Sequence, residues 1–207
     1  VEYQLGGVNQ IHVKAQIGLT FASGLRSIVR QDPEVIMVGE IRDQETAEIA
    51  IQAALTGHLV FSTLHTNDAA GAMSRLLDMG VEDYLLASSL LGVMAQRLVR
   101  RLCRDCAKEG PAGSEMAKEL GGPGATVHDA VGCPTCAGTG YLGRTGIYEI
   151  LVAGEEIRKL ILERAPTDRI KAAAVALGMR TLREDGWAKV RGGETSVAEV
   201  LRISQDE

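Results

Sequence analysis

Two pairs of cysteines constrain this chain more than any other feature of its sequence. Cys103 and Cys106 are separated by two residues, as are Cys133 and Cys136, and the 26 residues 107–132 lie between the pairs. Two intervening residues let both thiolates reach one metal ion from a tight turn, and two such pairs complete a tetrahedral sulfur shell. The spacing therefore predicts a structural Zn²⁺ site, with redox-active or free thiols as the alternative.

Composition limits the classes of protein that the 207 residues can represent. The apolar share of 45% and the charged share of 24% are ordinary for a folded domain and exclude wholesale disorder. The net charge of −5 and the aromatic share of 3% argue against a nucleic-acid partner. No apolar run reaches the roughly 18 residues that a membrane-spanning helix needs, and no signal peptide is evident. We therefore expect a cytoplasmic protein without direct membrane insertion.

The first half of the chain alternates short apolar segments with helical patterns. Residues 34–39 and 58–64 predict two buried strands, because each is a compact apolar run that includes β-branched residues. Between them, a helical pattern begins at an Asp43 N-cap and stops at Gly57. This alternation predicts an α/β fold with a parallel sheet, in which the carboxyl ends of the strands meet at one edge.

Further helices are expected on both sides of a segment without clear periodicity. Before that segment, helical spacing occurs over 19–30, 68–79 and 84–98. The segment itself includes residues 110–126, which are rich in Gly, Pro and Ala and predict a flexible loop. After it come four short amphipathic helices, over 155–164, 167–177, 181–191 and 196–203, with N-caps at Thr167, Thr181 and Ser196.

Polar side chains follow both predicted strands at the point where each strand ends. Glu40 comes directly after the first strand, and Ser-Thr-Leu-His-Thr-Asn-Asp at 62–68 ends the second. An acid at such a strand tip is typical of a Walker B strand, in which it polarises the attacking water or acts on Mg²⁺. Gly39 stands where the common motif carries Asp, so direct metal binding at that step is not expected. A solvated Glu40 and a capping turn at Asp68 are the alternatives.

The sequence contains motif blocks in a fixed order, at 25–33, 38–43, 56–60, 62–68 and 143–149, with the paired cysteines before the last of them. In this order they resemble the secretion ATPases, the motors of type II secretion and type IV pilus systems. The resemblance covers nearly the whole chain. It implies a partial RecA-like P-loop ATPase core, a small tetracysteine zinc subdomain and a C-terminal helical subdomain.

The resemblance also implies roles for single residues. Glu40 would be the catalytic Walker B carboxylate, Glu2 would belong to the aspartate box that helps to place Mg²⁺ or water, and His65 would contact or sense the γ-phosphate of ATP. The residues implied in nucleotide binding are Arg75, Arg144 and His58. The family's metal-binding subdomain implies that Zn²⁺ is held by Cys103, Cys106, Cys133 and Cys136.

Partners and location follow from the same resemblance. Members of the family act as homohexamers that couple ATP hydrolysis to pseudopilus assembly and protein export. A location on the cytoplasmic side of the bacterial inner membrane is implied, with inner-membrane secretion platform proteins as partners. Residues 181–186, 189–190 and 195–196 are similar to the type II secretion branch, and a type IV pilus assembly ATPase is the alternative.

One family motif is missing from the sequence. No Gly-x₄-Gly-Lys-Ser/Thr loop occurs in residues 1–207, although that loop supplies the phosphate cradle, the phosphate lysine and the Mg²⁺ hydroxyl. In the family it precedes the aspartate box. We therefore expect the chain to be the C-terminal half of a longer enzyme and to be inactive by itself.

The expected division has three parts: the C-terminal part of the RecA-like core at 1–98, the metal-binding subdomain at 99–150 and the helical subdomain at 151–207.

Two functions of another class remain open. The missing loop and the cysteines are compatible with a non-enzymatic zinc-binding interaction module. Arg97, Arg100 and Arg101 are compatible with a zinc-stabilised nucleic-acid binder, although the net charge argues against it.

Overall fold

The computed structural model describes residues 3–204 and divides the chain into two units, each built from separate stretches of sequence. The first unit takes the chain up to Thr66, residues 71–91 and residues 153–170. The second unit takes Asn67–Ala70, residues 92–152 and the chain from Lys171 onward. Both units combine helices with strands, which agrees with the predicted α/β class.

The helices and strands of the described residues have the following bounds. The helices are α1 (Phe21–Val29), α2 (Gln44–Leu55), α3 (Ala69–Asp78), α4 (Asp83–Ser89), α5 (Ser114–Glu119), α6 (Glu155–Leu162), α7 (Thr167–Ala176), α8 (Leu182–Arg191) and α9 (Val197–Ser204). The strands are β1 (Val35–Val38), β2 (Leu59–Ser62), β3 (Gly92–Leu102), β4 (Lys108–Pro111), β5 (Thr126–Asp129) and β6 (Tyr141–Val152). They form three two-stranded sheets, β1 with β2, β3 with β6 and β4 with β5. None of these helices is both long and apolar enough to cross a membrane.

β1 and β2 lie side by side in parallel, with Val35 opposite Leu59 in the ladder. α2 connects them and begins after Asp43, whose Oδ1 accepts a hydrogen bond of 2.8 Å from the backbone N–H of Thr46. The helix ends just before Gly57, which has a φ of +106° and so adopts the left-handed conformation that terminates helices. The predicted strand–helix–strand unit, its N-cap and its stop are therefore confirmed.

Among residues 3–204, other elements of the first unit cover one face of the β1–β2 pair and leave the opposite face exposed. Ile36 and Val38 are buried against Leu25 of α1 and small side chains of α2. On the opposite face, Met37 is 68% exposed and Phe61 is 52% exposed. The prediction of two buried strands was wrong in this respect, because helices of the described chain pack on one face alone.

The helix predicted over residues 84–98 ends early. α4 stops at Ser89, and from Gly92 the chain continues as β3 in an antiparallel ladder with β6. Val93 and Val99 are an even number of positions apart, so they face the same side of the pleat, and Val99 is buried. The helical prediction was wrong because β6, far along the chain, supplies the hydrogen-bond partners that favour a strand.

The segment 110–126, predicted to be a flexible loop, contains α5 and parts of β4 and β5. Leu120, just after α5, and Val127 of β5 are both buried in a cluster around Trp187 of α8. This cluster fixes the segment, which its Gly- and Pro-rich composition does not indicate. The prediction was wrong because the stabilising contacts come from a helix in the C-terminal part of the chain.

Two of the three predicted N-caps in the C-terminal part are confirmed. The hydroxyls of Thr181 and Ser196 accept hydrogen bonds of 3.2 and 3.3 Å from the backbone N–H of the third residue of α8 and α9 respectively. Thr167 is instead the first residue of α7. The carbonyl oxygen of Pro166 accepts from the backbone N–H of Ile170 at 3.2 Å, so the helical hydrogen bonds begin one residue earlier than predicted.

Glu199 of α9 is a buried carboxylate that holds this helix to β3 within the second unit. It is 1% exposed and accepts hydrogen bonds of 2.9 Å from the backbone N–H of Arg100, 2.6 Å from Arg100 Nη2 and 2.9 Å from Arg202 Nε. Burial alone would raise the pKa of Glu199, but the hydrogen bonds from both arginines outweigh it and lower the pKa to about 2.

This lowered pKa makes the stability of the second unit depend on pH. The ionised Glu199 carboxylate contributes on the order of 2–3 kcal/mol to the free energy of unfolding. This contribution is complete above the ordinary pKa of glutamate and is lost as the pH falls toward the lowered pKa of the folded state. We expect denaturant unfolding to show E199Q less stable than the wild type at pH 7, with the difference shrinking by pH 3. The matched control is E155Q, because Glu155 is exposed and pairs with the exposed Lys159 on α6. A difference that stays constant between the two pH values would contradict this assignment.

Candidate functional site

Glu40 and His65 meet where β1 and β2 end. His65 Nε2 lies 2.9 Å from Glu40 Oε2. Beyond the strands, the backbone N–H of Ile41 donates to the carbonyl oxygen of Thr63 at 3.1 Å, and Thr63 Oγ1 donates to the carbonyl oxygen of Gly39 at 2.7 Å. These bonds extend the parallel pairing past both strand ends, so the two polar tips are held side by side.

The Glu40 carboxylate has a second partner that sequence reasoning did not single out. Arg42 forms an ion pair with Glu40 Oε1, while His65 contacts the other oxygen. The Arg42 hydrogen bond lowers the pKa of Glu40 despite partial burial, and the His65 hydrogen bond lowers it further. The signal for Arg42 was its position two residues after Glu40, which places both side chains on one side of an extended segment.

Glu40 is far less exposed than its partner His65. The Glu40 side chain is 16% exposed, whereas that of His65 is 84% exposed. An ionised carboxylate of this kind can accept a hydrogen bond from a water molecule and orient it, and an exposed imidazole can donate to an anionic ligand. The arrangement therefore combines a sheltered base with an accessible hydrogen-bond donor.

Gly39, at the position before Glu40, lies against α1. A Cβ added there would be 3.5 Å from the Phe21 ring atom Cε1, which is ordinary van der Waals contact. Phe21 packs on the core beneath β1. A Cβ at position 39 would therefore touch the ring without displacing it.

His58 lies at the other end of β2 from His65. Its Nδ1 is 3.0 Å from the carbonyl oxygen of Ala53 and 3.2 Å from Thr56 Oγ1, both at the end of α2. The structure thus brings His58 to the carboxyl end of a helix rather than to Glu40. Its predicted role in nucleotide binding stays a prediction.

The two predicted arginines are not part of the Glu40–His65 contact. Arg75 is exposed on α3, and no hydrogen bond or ion pair within residues 3–204 joins it to Glu40 or His65. Arg144 is exposed on β6 in the second unit, opposite Arg100 in the ladder with β3. Glu2 lies outside the described residues.

The four cysteines converge, as their spacing predicts. Their sulfur atoms all lie within 4.8 Å of one another. The Sγ–Sγ distances are 3.8 Å for Cys103–Cys133, 3.8 Å for Cys106–Cys136 and 3.7 Å for Cys133–Cys136. A tetrahedron with Zn–S bonds of about 2.3 Å has edges of about 3.8 Å. The four thiols therefore match the shell of a tetrahedral metal ion.

Backbone amides and burial set the ionisation of these thiols. Burial would raise the pKa of Cys136, but the backbone N–H groups of Cys133 and Gly140, each 3.2 Å from Cys136 Sγ, lower it to about 6. Burial raises the pKa of Cys106 to about 12. The Cys136 thiolate is thus available at neutral pH to begin metal binding.

The turn that carries one of these amides requires glycine. Gly140 has a φ of +76°, and a Cβ at this position would be 2.6 Å from the Cβ of Ala130.

Comparison with known proteins matches residues 1–202 to the family described as "Type II/IV secretion system protein". The type II secretion system protein HxcR of Pseudomonas aeruginosa is 54% identical over 206 residues, and the type II secretion system protein E of Pectobacterium carotovorum is 51% identical over 208 residues. The type IV pilus assembly ATPase PilB of Thermus thermophilus is 52% identical over 206 residues. The three alignments cover 100%, 100% and 97% of this chain, but 41%, 42% and 23% of the relatives. The chain therefore spans about two fifths of the two type II relatives.

Comparison with solved structures identifies proteins whose folds are similar to that of this chain. The pilus retraction motor PilT with bound ADP is 29% identical with a TM-score of 0.62, over 89% of this chain and 43% of that one. The ATPase DotB of Legionella pneumophila is 25% identical with a TM-score of 0.63, over 91% of this chain and 43% of that one. The α/β fold is thus similar to that of PilT and DotB. Since the family match extends over almost the whole sequence, the chain belongs to the type II/IV secretion system protein family.

Proposed function

We propose that this chain is the C-terminal part of a hexameric motor ATPase that powers pseudopilus assembly in type II secretion. The observation that carries the proposal is the Glu40–His65 contact at neighbouring strand ends. A sheltered carboxylate and an exposed imidazole at this edge of a parallel pair suit the hydrolysis of a nucleoside triphosphate. The relatives are named as type II secretion proteins and pilus ATPases, which supports the same reaction.

In this proposal Glu40 acts on water rather than as a direct metal ligand. Arg42 keeps the carboxylate ionised, so Glu40 can accept a hydrogen bond from the attacking water and orient it toward the γ-phosphate. As the imidazolium, His65 donates from both ring nitrogens, one hydrogen bond to Glu40 and one to that phosphate. Mg²⁺ bound with ATP supplies positive charge that neutralises the phosphate oxygens. Arg75, Arg144, His58 and Glu2 are further proposed contacts of the nucleotide and its Mg²⁺.

The tetracysteine cluster has a structural role in the proposal. Four protein thiolates leave no open position for catalysis, so Zn²⁺ held by them stabilises the turns rather than reacting. We assign the three expected segments accordingly: residues 1–98 to the RecA-like core, 99–150 to the zinc subdomain and 151–207 to the helical subdomain. The zinc subdomain would contact inner-membrane platform proteins on the cytoplasmic side.

A type IV pilus assembly ATPase is the second candidate. The specific observation in its favour is the 52% identity to PilB, close to the 54% identity to HxcR. Complementation separates the two: the longer protein should restore secretion to a strain that lacks its type II ATPase. Restoration of pilus assembly alone, in a strain that lacks its pilus ATPase, would favour the second candidate.

The proposed activity is tested by comparing the longer protein with residues 1–207. We expect Mg²⁺-dependent ATP hydrolysis by the longer protein, with kcat for residues 1–207 alone at least about a hundredfold lower, because their sequence lacks the phosphate-binding loop. Phosphate release at saturating ATP is the measurement. Strong Mg²⁺-dependent hydrolysis by residues 1–207 would contradict the expectation. A longer protein that binds zinc but hydrolyses no ATP would favour the non-enzymatic interaction module.

A further inference from the structure

Gly140 contacts both cysteine pairs although it lies in a glycine-rich turn. Its backbone N–H is 3.2 Å from Cys136 Sγ. Its carbonyl oxygen accepts a hydrogen bond of 2.9 Å from the backbone N–H of Cys103. Gly138 and Gly140 both have positive φ, 78° and 76°, and glycine loses more conformational freedom on folding than any other residue. A turn of this kind is therefore well ordered only where other contacts hold it.

The next residue, Tyr141, connects this turn to the start of α9. Tyr141 Oη lies 2.7 Å from Ser196 Oγ, and Ser196 is buried. The guanidinium of Arg100 lies over the Tyr141 ring, with its central carbon 4.2 Å from the ring centre. The ring is thus held on its face as well as at its hydroxyl. Because Tyr141 directly follows Gly140, these contacts restrict the positions that the Gly140 amide and carbonyl can take.

The loop between α8 and α9 holds the other side of the cysteine cluster. The ladder of β3 with β6 is irregular between Arg100 and Leu102. At this irregularity, the backbone N–H of Leu102 donates a hydrogen bond of 2.9 Å to the carbonyl oxygen of Glu194. Thr195 Oγ1 donates one of 2.8 Å to the carbonyl oxygen of Arg100. Leu102 directly precedes Cys103, so residues far along the chain fix the approach to this ligand.

The contact of Ser196 with Tyr141 is not needed to cap α9. Ser196 Oγ accepts a hydrogen bond of 3.3 Å from the backbone N–H of Glu199, and this bond is the one that an N-cap residue makes. The additional bond is directed to the residue after Gly140. Both residues belong to the second unit, as do the four cysteines, so every contact from α9 to the cluster lies within one unit.

We propose that Tyr141 and Ser196 are positioning residues for the metal ion, whose mutual contact anchors Gly140 and thereby keeps the four thiols at the spacing that Zn²⁺ requires. The inference rests on the proposed zinc site and adds to it a dependence on α9. Neither side chain supplies a ligand atom, and both act through the turn that includes Gly140. Replacing residues that orient metal ligands typically costs about 10- to 100-fold in metal affinity. The C-terminal helix therefore helps to set the affinity of the cluster for Zn²⁺.

The first test measures the dissociation constant for Zn²⁺ in the longer protein by competition with a chelator. Y141F keeps the ring beneath Arg100 but removes the hydroxyl, and we expect the constant to rise by about 10-fold or more. Y148F is the matched control, because Tyr148 lies on the same strand and its hydroxyl lies against Gly146. It should leave the constant within about twofold of the wild type. An unchanged constant in Y141F, or equal increases in both variants, would overturn the proposal.

The second test separates metal positioning from helix stability. S196A removes the N-cap of α9 and T181A removes that of α8 in the same unit, so both should lower the melting temperature. S196A should also raise the dissociation constant for Zn²⁺ by about 10-fold, whereas T181A should not. Equal zinc affinities in the two variants would overturn the proposal. If Y141F does not fold, the comparison of S196A with T181A decides.

The third test asks whether the two residues act through one bond. Adding S196A to Y141F should raise the dissociation constant by less than about twofold beyond that of Y141F, because residues that share an interaction are not additive. Full additivity would overturn the proposal. A wild-type protein that binds no zinc would refute the proposed zinc site itself. A wild type that binds zinc, with unaffected Y141F and S196A, refutes this inference alone.

Discussion

Replacing Glu40 with Gln in the longer protein is expected to lower kcat for ATP hydrolysis by about 10²–10⁴-fold, the range for loss of a positioned base. The E40Q substitution keeps the size of the side chain but removes the negative charge that Arg42 and His65 contact. Affinity for a non-hydrolysable ATP analogue should change little, since the proposed role of Glu40 concerns the attacking water. Steady-state phosphate release and analogue binding measure the two quantities separately.

A matched control for this variant lies on the next helix. Glu45 of α2 is an exposed glutamate that pairs with Arg26 at 2.7 Å, and surface pairs of this kind contribute little. E45Q should therefore hydrolyse ATP within about twofold of the wild-type rate. If E40Q retained more than about a tenth of the wild-type kcat, Glu40 would not be the catalytic carboxylate.

Replacing Cys136 with Ser is expected to remove Zn²⁺ from the protein. Cys136 is buried, and the pKa of its thiol is lowered to about 6, so this thiol is readily ionised at neutral pH. Structural zinc sites of this type contribute apparent binding free energies of about 10–16 kcal/mol in small domains, so the effect on local stability is large. Metal analysis after dialysis should find about one zinc per chain in the wild type and almost none in C136S.

The loss of structure should be confined to the turns around the metal. Hydrogen exchange is expected to accelerate in residues 103–106 and 132–140, whereas the segment from β4 to β5 stays protected, because Leu120 and Val127 pack on Trp187. T135S, which changes a residue between two ligands but no sulfur, is the control and should retain zinc. A C136S protein with full zinc content would rule out the tetracysteine site, and normal secretion by a zinc-free variant would rule out its proposed docking role.

The parts of the site that were predicted from the sequence depend on local rules. The carboxyl ends of parallel strands meet at one edge, so the approach of His65 to Glu40 followed once both strands were assigned. The convergence of the cysteines followed from their spacing, because tight turns present the sulfur atoms with little help from the rest of the fold.

The parts that were not predicted depend on partners far along the chain. Residues 92–98 have apolar positions that suit either a helix or a strand, and the ladder with β6 decides for the strand. The segment 110–126 is ordered by Trp187, which no property of that segment indicates. Glu149 has no local signal at all, since its partners are backbone amides of two helix starts that the sequence does not bring together.

The contact between Gly39 and Phe21 shows that glycine is not required at the position before Glu40. A Cβ at position 39 would lie 3.5 Å from the ring of Phe21, which is an ordinary van der Waals distance, so alanine fits there without displacing the ring. The missing carboxylate at this position is therefore not explained by packing against α1, and we expect G39A to leave the fold of the first unit unchanged.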